Sequence, residues 1–433
     1  MLYYSLNHQS PKVSFRDATI QGQAPDKGLY FPEVIPVFER KMIGHIEDYS
    51  KEAIAFEVIR PFTGDSIPDE ILSQIVAETI DFDFPLVPVT SDSFALELFH
   101  GPTLAFKDVG ARFMSRCLGH FVRNRDKKIT VLVATSGDTG GSVASGFYEV
   151  EGVEVVILYP SGKVSSIQEL QLTTFGKNIT ALEVSGSFDD CQQMVKQAFA
   201  DQALQKELFL TSANSINVAR WLPQQFYYLF AYRQWADKKN PPVFSVPSGN
   251  FGNICAGLLA HRSGLPAGHF IAACNANDIV TRYLQDGNYT PKQALATMSN
   301  AMDVGNPSNF VRILELFHRE FQSLKNVLSS DSISDEATAE TIKTLYHKHH
   351  YLADPHGAVG YLALSQWLKQ QGGGKGIFLE TAHPVKFYDV VEPIIGQKVP
   401  LPPSVEALLH KRKHSIPTEP VYGSLRDFLI SRK

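Results

Sequence analysis

The sequence predicts an α/β fold that contains two mostly parallel β-sheets. Short β-branched segments alternate with helical patterns in two parts of the chain, residues 128–200 and residues 218–395. This alternation is typical of βαβ units, whose parallel strands are covered by helices on both faces. The chain has 433 residues, 44% of them hydrophobic, which is more than one compact core usually holds. We therefore expect two or three domains.

The individual elements follow in chain order. Residues 1 to about 80 form a mixed opening segment, and a strand at residues 94–99 and a helix at residues 109–123 come next. The first alternating region contains strands at residues 129–134, 153–158 and 179–184 and helices at residues 139–148, 166–175 and 189–200. The second contains strands at residues 243–246, 270–274 and 376–379 and helices at residues 218–236, 253–263 and 385–395.

A polar, helix-rich stretch interrupts the second region at about residues 278–351, and one of its loops is expected around residues 329–334. We interpret this stretch as an insertion. The predicted organisation is an N-terminal domain of residues 1–90 and a larger region of residues 91–433. Within the larger region, residues 125–215 form a smaller α/β part and the remaining residues form a larger part that carries the helical insertion.

Charge and composition exclude several classes of protein. Lys and Arg number 40 against 45 Asp and Glu, a net charge of −5 without a basic stripe, which argues against nucleic acid or an anionic membrane as a partner. The first ten residues lack the pattern of a signal peptide, and no stretch has the length of a membrane span. The four cysteines lie too far apart for a metal site and are expected to be buried thiols. A cytoplasmic protein that acts on small molecules and uses no metal is the expectation.

The most informative stretch is HGPTLAFKD, in which Lys107 lies in an apolar setting between the first predicted strand and helix of the larger region. Such junctions often hold reactive groups in α/β enzymes. Desolvation disfavours the ammonium form of a lysine, and the neutral amine is the nucleophile of carbonyl chemistry. The alternative is a lysine whose stem runs along apolar surface to water.

A glycine-containing loop, Ser248-Gly249-Asn250-Phe251-Gly252-Asn253, joins a predicted strand to a predicted helix. Convergent backbone amides and a helix N-terminus suit a phosphate. Neither a Walker loop nor the dinucleotide fingerprint is present, so a monophosphate is the better interpretation. A simple strand-to-helix turn is the alternative.

Two further loops present polar groups at helix starts. The loop at residues 135–141 offers hydroxyls, amides and the carboxylate of Asp138, which suit an anionic substrate group. Here the alternative is a capping cluster in which Ser136 or Asp138 only caps the helix. The second is the segment Asn214-Ser215-Ile216-Asn217-Val218-Ala219-Arg220. Taken alone, it would be interpreted as a capped helix start with a solvated arginine.

A reactive lysine, a monophosphate loop and an anion loop in one α/β chain point to pyridoxal phosphate. The segments HGPTLAFKD, ATSGDTG, SANSIN, SVPSGNFGN, SNAMDVGNPSN and ETAHPVKF together resemble the threonine synthase family of the bacterial and fungal type. The resemblance covers nearly the whole chain. It implies a fold of the tryptophan synthase β type (fold type II of pyridoxal-phosphate enzymes) and the conversion of O-phospho-L-homoserine and water to L-threonine and phosphate.

The resemblance also implies roles for individual residues. Lys107 corresponds to the lysine that carries the cofactor, and Thr381 to a neutral partner of the pyridine nitrogen. Asp138 lies near the phenolic oxygen, where the wider fold group usually has asparagine. The cofactor phosphate is expected at Gly249, Asn250, Phe251, Gly252 and Asn253. The substrate carboxylate and phosphate are expected at Thr135, Ser136, Thr139, Asn214, Ser215 and Arg220.

The implied reaction is a β,γ-replacement, the last step of threonine biosynthesis. Lys107 moves protons at the α and β carbons, phosphate leaves from the γ carbon, and water adds at the β carbon. A mobile smaller part is expected to exclude water early, with Arg220 sensing the substrate phosphate. Two alternatives stay open: a related serine or threonine dehydratase or phospholyase, and a catalytically inactive relative kept as a binding protein. The sequence leaves the oligomeric state undetermined.

Overall fold

The structure is a computed structural model that describes residues 1–123 and 128–432. The chain separates into two compact units. Unit 1 consists of Met1, Phe31–Phe106 and Trp221–Pro400, and unit 2 consists of Leu2–Tyr30, Lys107–Arg220 and Leu401–Lys433. Residues 1–90 contribute to both units, and a functional domain boundary near residue 90 stays a prediction.

The strands are short, with two to eight residues each. In chain order they are β1 (Leu2–Ser5), β2 (Val13–Ser14), β3 (Tyr30–Pro32), β4 (Leu86–Pro88), β5 (Ser93–Glu97), β6 (Ile129–Ala134), β7 (Val153–Pro160), β8 (Ile179–Val184), β9 (Phe209–Thr211), β10 (Val243–Pro247), β11 (His269–Cys274), β12 (Leu328–Ser332), β13 (Gly376–Glu380) and β14 (Ile416–Thr418).

Helices connect these strands. In chain order they are α1 (Phe15–Gln21), α2 (Arg40–Gly44), α3 (Lys51–Thr63), α4 (Asp69–Thr79), α5 (Lys107–Val122), α6 (Asp138–Phe147), α7 (Ser166–Thr173), α8 (Phe188–Ala200), α9 (Gln202–Glu207), α10 (Val218–Trp221), α11 (Gln225–Gln234), α12 (Gly252–Arg262), α13 (Ile279–Asp286), α14 (Phe310–Leu316), α15 (Phe321–Lys325), α16 (Asp335–His349), α17 (Pro355–Gln370), α18 (Tyr388–Ile395), α19 (Pro403–Leu409) and α20 (Tyr422–Ser431).

Unit 1 is built on a six-stranded sheet in the order β12-β11-β10-β13-β5-β4. All neighbours in it are parallel except β4 and β5, which are antiparallel. Every residue of the central strands β10 and β13 is buried. Such continuous burial requires apolar cover on both faces, and α17 supplies part of it through Val359 and Leu364, which pack in one core with Phe378.

Unit 2 is built on a five-stranded sheet in the order β14-β8-β7-β6-β9, and all of its neighbours are parallel. Leu132, Leu158 and Leu182 of three adjacent strands pack against Met194 of α8. The predicted α/β fold with two mostly parallel sheets is therefore confirmed. The edge strand β14 comes from the C-terminal segment, which the sequence pattern did not predict.

Three sequence-based assignments were wrong in detail. The loop expected at residues 329–334 is largely strand β12, which pairs with β11. Its Ser and Asp side chains give no apolar alternation, so the backbone pairing alone defines it. The long helix expected at residues 218–236 is divided by a 3₁₀ turn at Leu222–Gln224, where Pro223 lacks the N–H of a regular helix. The helix expected at residues 385–395 begins with a similar turn, Pro384–Phe387.

Other expectations concern the chain as a whole. All four cysteines are buried and free, as predicted. Across residues 1–123 and 128–432, we found no helix with the length and hydropathy needed to cross a membrane.

Candidate functional site

Lys107 is the first residue of α5, which begins two residues earlier than the sequence predicted. Its Nζ lies 3.7 Å from Oδ2 of Asp138, the first residue of α6. The Lys107 side chain is 18% exposed and that of Asp138 is 4% exposed. A helix N-terminus disfavours a cation, and the Asp138 carboxylate supplies the compensating negative charge. Unit 2 therefore places an amine beside a buried carboxylate.

The backbone just before Lys107 is anchored, within unit 1, to the segment that follows β13. Phe106 donates its N–H to the carbonyl of Thr381 (2.8 Å), and His383 donates its N–H to the carbonyl of Leu104 (3.0 Å). Leu104 has a φ of 57°, in the left-handed region that a residue with a branched side chain rarely adopts. Such strain persists only where surrounding contacts impose it. The residue before Lys107 is therefore held firmly at Thr381.

The loop between β6 and α6 is closed by the side chain of Thr135. Its Oγ1 accepts hydrogen bonds from the N–H groups of Gly137 (3.0 Å) and Gly140 (2.8 Å). Because Gly140 lies in the first turn of α6, Thr135 satisfies one of the amides that lack a partner inside the helix. The capping group is thus Thr135 and neither of the two residues that the capping alternative named. The other hydroxyls expected to bind substrate are partly exposed: Ser136 and Thr139.

Asp138 is held by Gln168, a residue that the sequence interpretation missed. Gln168 donates from Nε2 to Oδ1 of Asp138 (2.9 Å), and both side chains are buried. Gln168 is itself fixed by a reciprocal capping box with Ser165 at the start of α7. A side chain at Gly137 would lie within 2.7 Å of the Gln168 amide, so only glycine leaves room for this contact. The S-x-x-Q pattern predicts a helix start but not this second bond.

We expect Asp138→Asn to change the absorption spectrum of the bound cofactor and its pH dependence, with little loss of stability. Asparagine keeps an oxygen that can accept from Gln168, so the substitution mainly removes a charge. A carboxylate near a phenolic oxygen affects the protonation of that oxygen. Absorbance titration of the two proteins measures the effect. An unchanged spectrum together with a lowered Tm would mean that Asp138 is structural.

In unit 1, the loop between β10 and α12 has the conformation of an anion site. Phe251, the N-cap of α12, is left-handed with φ of 60° and ψ of 13°. Successive amides around such a turn converge, and those of the first helical turn have no partner inside the helix. Gly252 and Asn253 form the first positions of that turn. The loop therefore presents backbone donors and the positive end of a helix dipole to a phosphate.

Two asparagine side chains fix the shape of this loop. Asn253 donates from Nδ2 to the carbonyl of Pro247 (2.7 Å), which ties the helix start back to β10. Asn250 accepts at Oδ1 from the N–H of Ser308 (2.6 Å), and its carbonyl accepts from the Asn309 side chain (3.1 Å). These side chains therefore fix the position of the backbone of the loop.

Gly249→Ala should lower stability by about 1–3 kcal/mol, the usual cost of an added methyl group in a packed site, and should weaken cofactor binding. A Cβ at Gly249 would lie 2.7 Å from Cα of Met302 and 2.8 Å from the carbonyl oxygen of Ala301. Both are backbone atoms, so the loop itself must move. Urea unfolding and cofactor titration give the two values, with Gly44→Ala as the control because a Cβ at Gly44 meets nothing within 4 Å. Unchanged cofactor affinity would argue against the phosphate assignment.

Thr381 follows β13 and is buried beside an unusual carboxyl pair. Glu380, the last residue of β13, accepts at Oε1 from the N–H of Asp354 (2.7 Å). Burial raises the pKa of Glu380 well above its usual value, and the neighbouring Asp354 carboxylate raises it further, with a smaller effect from Glu97. The folded protein therefore favours the protonated form of Glu380 more than an unfolded chain does. The Glu380 side chain lies so close to the backbone of residue 357 that only glycine fits there, because a Cβ at that position would lie 1.5 Å from Oε2 of Glu380.

Glu380→Gln should become more stable than the parent protein as the pH rises above about 4.5, the ordinary pKa of a glutamate side chain. The folded state holds the Glu380 proton more tightly than the unfolded state does, so the parent loses stability as the pH rises from that value towards the raised pKa. Glutamine is neutral throughout and has nearly the same shape. Urea unfolding at several pH values tests this, and a parent-to-variant difference that does not change with pH would show that Glu380 titrates normally.

The segment at residues 214–220 folds around Asn217, whose Nδ2 donates to the carbonyl of Thr19 (2.9 Å). Arg220 is 3% exposed, and its Nη1 donates to the carbonyl of Ala213 (2.5 Å). Its Nε lies 3.1 Å from where a Cβ of Gly110 would be, so it packs against α5, the helix that begins at Lys107. Arg220 is thus a buried cation and not a solvated one. The other two residues expected at the substrate phosphate are partly exposed: Asn214 and Ser215.

Comparison with known proteins identifies the class first. The family model described as pyridoxal-phosphate dependent enzyme matches residues 87–379, more than half of the chain. The fold of the two sheets and the groups described above agree with that class of enzyme.

Two further models, threonine synthase N terminus and the C-terminal model of threonine synthase, match residues 2–80 and 357–428. The chain belongs to the threonine synthase family. It is 45% identical to threonine synthase from Serratia marcescens over 99% of both chains. It is similar to the crystal structure of the Escherichia coli threonine synthase (44% identity, TM-score 0.93, 100% of both chains). The PLP-bound threonine synthase of Brucella melitensis matches with 34% identity and a TM-score of 0.92 over 99% of this chain and 98% of that chain.

Each unit by itself contains residues whose chemical groups suit part of pyridoxal phosphate. Unit 1 offers the helix N-terminus at residues 249–253 for a phosphate and the hydroxyl of Thr381 for a ring nitrogen. Unit 2 offers the Lys107 amine for the aldehyde and the Asp138 carboxylate next to it. Pyridoxal phosphate is the cofactor of this enzyme class, and the part that each of these residues plays in binding it remains a prediction.

Proposed function

We propose that the protein converts O-phospho-L-homoserine and water to L-threonine and phosphate. The proposal rests on the membership of the whole chain in the threonine synthase family. The geometric observation that best supports the proposal is that the Lys107 amine lies 3.7 Å from the Asp138 carboxylate. These two residues are the first residues of α5 and α6. An amine held beside a carboxylate can accept and return protons repeatedly, as a replacement at two neighbouring carbons requires.

Bound pyridoxal phosphate supplies an electron sink that makes the carbon-bound protons of the substrate acidic. Lys107 would hold the cofactor through Nζ, and its amine would take the α proton of the substrate and then move protons at the β carbon. Asp138, fixed by Gln168, maintains a negative charge next to that amine. Thr381 would offer the ring nitrogen a hydroxyl in place of a carboxylate, which would leave that nitrogen less firmly protonated and the electron sink milder.

The substrate residues are assigned by the chemistry of their side chains. Oγ1 of Thr135 already accepts from two amides, so its remaining capacity is to donate its O–H to a substrate oxygen. Ser136 and Thr139 are exposed enough to bind the same carboxylate. Arg220 provides the cation for the substrate phosphate, together with Asn214 and Ser215. The protein acts in the cytoplasm on this small-molecule substrate.

Incubation of the purified protein with O-phospho-L-homoserine, followed by assays of threonine and phosphate, tests the proposal. We expect the two products in equal amounts and no product from L-homoserine, which has no phosphate to lose. Formation of pyruvate and ammonia from serine, or of 2-oxobutanoate and ammonia from threonine, with no product from O-phospho-L-homoserine, would favour a dehydratase. A protein that binds the cofactor but converts none of these substrates would be an inactive relative.

A further inference from the structure

Asp354 and His356 begin helix α17 in unit 1 and lie outside every motif used above. Both are buried, with exposures of 0% and 2%. Asp354 is the N-cap of α17 and accepts at Oδ1 from the N–H of His356 and from that of Gly357 (3.1 Å). These bonds are what a capping aspartate normally makes. They account for one of its two carboxylate oxygens.

The second oxygen reaches a different segment. Oδ2 of Asp354 accepts from the N–H of Ala382 (3.1 Å), the residue that follows Thr381. The preceding residue, Glu380, is bonded to the backbone of Asp354 as well. Asp354 and its backbone therefore hold the chain on both sides of Thr381. Capping of α17 does not require either of these bonds.

His356 extends the connection in the opposite direction. Its Nδ1 lies 2.8 Å from Oδ1 of Asp354, and its Nε2 accepts from the N–H of Ala301 (3.2 Å). Since Nε2 is the acceptor, the network assigns the proton to Nδ1, which donates to Asp354. The carbonyl oxygen of Ala301 lies 2.8 Å from the point that a Cβ atom on Gly249 would occupy, at the start of the phosphate loop.

We infer that Asp354 and His356 are positioning residues that couple the phosphate loop at residues 249–253 to the segment around Thr381. The connection runs from Ala382 through the two side chains to Ala301 and then by close contact to Gly249. A ligand that orders one end of the cofactor site thereby favours the geometry needed at the other end. This inference rests on the cofactor residues named in the proposed function.

The test separates the two ends of the cofactor. In the full chain freed of cofactor, pyridoxal affinity is measured by absorbance with and without saturating inorganic phosphate. For the parent protein we expect phosphate to tighten pyridoxal binding by a factor in the usual range of site coupling, about 5- to 150-fold. In His356→Phe, which keeps a ring against Phe387 but loses both nitrogens, the factor should fall towards 1.

Two further variants make the result decisive. His356→Gln offers an acceptor for Ala301 and should recover part of the coupling. If the phenylalanine variant fails to fold, His356→Leu replaces it, because leucine also lacks both nitrogens. His269→Phe is the matched control, because His269 is a half-buried ring in the same unit that stacks on Trp367 and bonds to Ser329, neither of which belongs to the connection described above. It should keep the coupling factor of the parent.

Three outcomes contradict the inference. The first is a coupling factor that is unchanged in His356→Phe. This includes the case in which the pyridoxal affinities with and without phosphate fall by the same factor, which is the result expected if His356 only stabilises the fold. The second is an equal loss in His269→Phe. The third is a parent protein that binds each ligand without coupling. A parent that binds neither pyridoxal nor phosphate contradicts the proposed cofactor site itself and is recognisably different from these.

Discussion

Lys107→Ala should lose the absorbance of covalently held pyridoxal phosphate and nearly all activity. Removal of a general acid–base group usually costs about 10²- to 10⁴-fold in rate, and loss of the covalent attachment adds to this. The loop at residues 249–253 is the proposed phosphate site and does not include Lys107, so we expect the variant still to bind the cofactor non-covalently. Dialysis against cofactor followed by absorbance and activity measurements gives the two results.

Borohydride reduction of the parent protein and peptide mapping identify the attachment point independently. Lys386 provides an internal comparison, because it is fully buried and its Nζ donates to the carbonyl of Thr103 (2.8 Å). Burial alone would therefore not distinguish the two lysines. We expect the label on Lys107 only. Label on Lys386, or full activity of Lys107→Ala, would overturn the assignment.

Arg220→Leu should lose activity on O-phospho-L-homoserine while it keeps the cofactor. Removing one partner of a charge-assisted contact in a closed site costs about 2–5 kcal/mol, because the remaining charge is left without its partner. At about 1.4 kcal/mol for each factor of ten, the expected loss is on the order of 30- to 3,000-fold in kcat/KM. Any slow deamination of serine or threonine by the parent needs no phosphate contact and should be unaffected.

The buried position of Arg220 makes a structural role the main alternative. Its bond to the carbonyl of Ala213 is lost in the leucine variant in either case. Arg426→Leu is the control, since it removes an arginine bonded to Asp201 (3.2 Å) in the same unit. A parallel loss of all activities and of the cofactor in Arg220→Leu, with Arg426→Leu normal, would show that Arg220 stabilises the fold and does not bind the substrate phosphate.

Central parallel strands were predictable from the sequence, and edge strands were not. The strands at residues 129–134 and 179–184 have the predicted bounds because their apolar side chains are packed in the interior of a parallel sheet. Strands β12 and β14 lie at sheet edges and are mostly exposed or half-buried. Their side chains carry little information, and pairing with a neighbouring strand defines them.

The same distinction applies to the site. Lys107 and the glycine loop lie in local patterns of residue types, so the sequence identified both, and the roles of the individual residues remain predictions. Gln168, Asp354 and His356 had no such signal. Each lies at a helix start, where a capping pattern explains the residue type, and each makes its second bond to a segment distant in sequence. Only the fold brings these partners together.

The most direct test of the proposed reaction is turnover of O-phospho-L-homoserine in water enriched in ¹⁸O. A replacement that breaks the carbon–oxygen bond and adds water at the β carbon predicts one ¹⁸O in the hydroxyl group of threonine and none in the released phosphate. Mass spectrometry of both products gives the distribution. Phosphate that carries the ¹⁸O, with homoserine as the other product, would mean hydrolysis of the phosphorus–oxygen bond and would contradict the account.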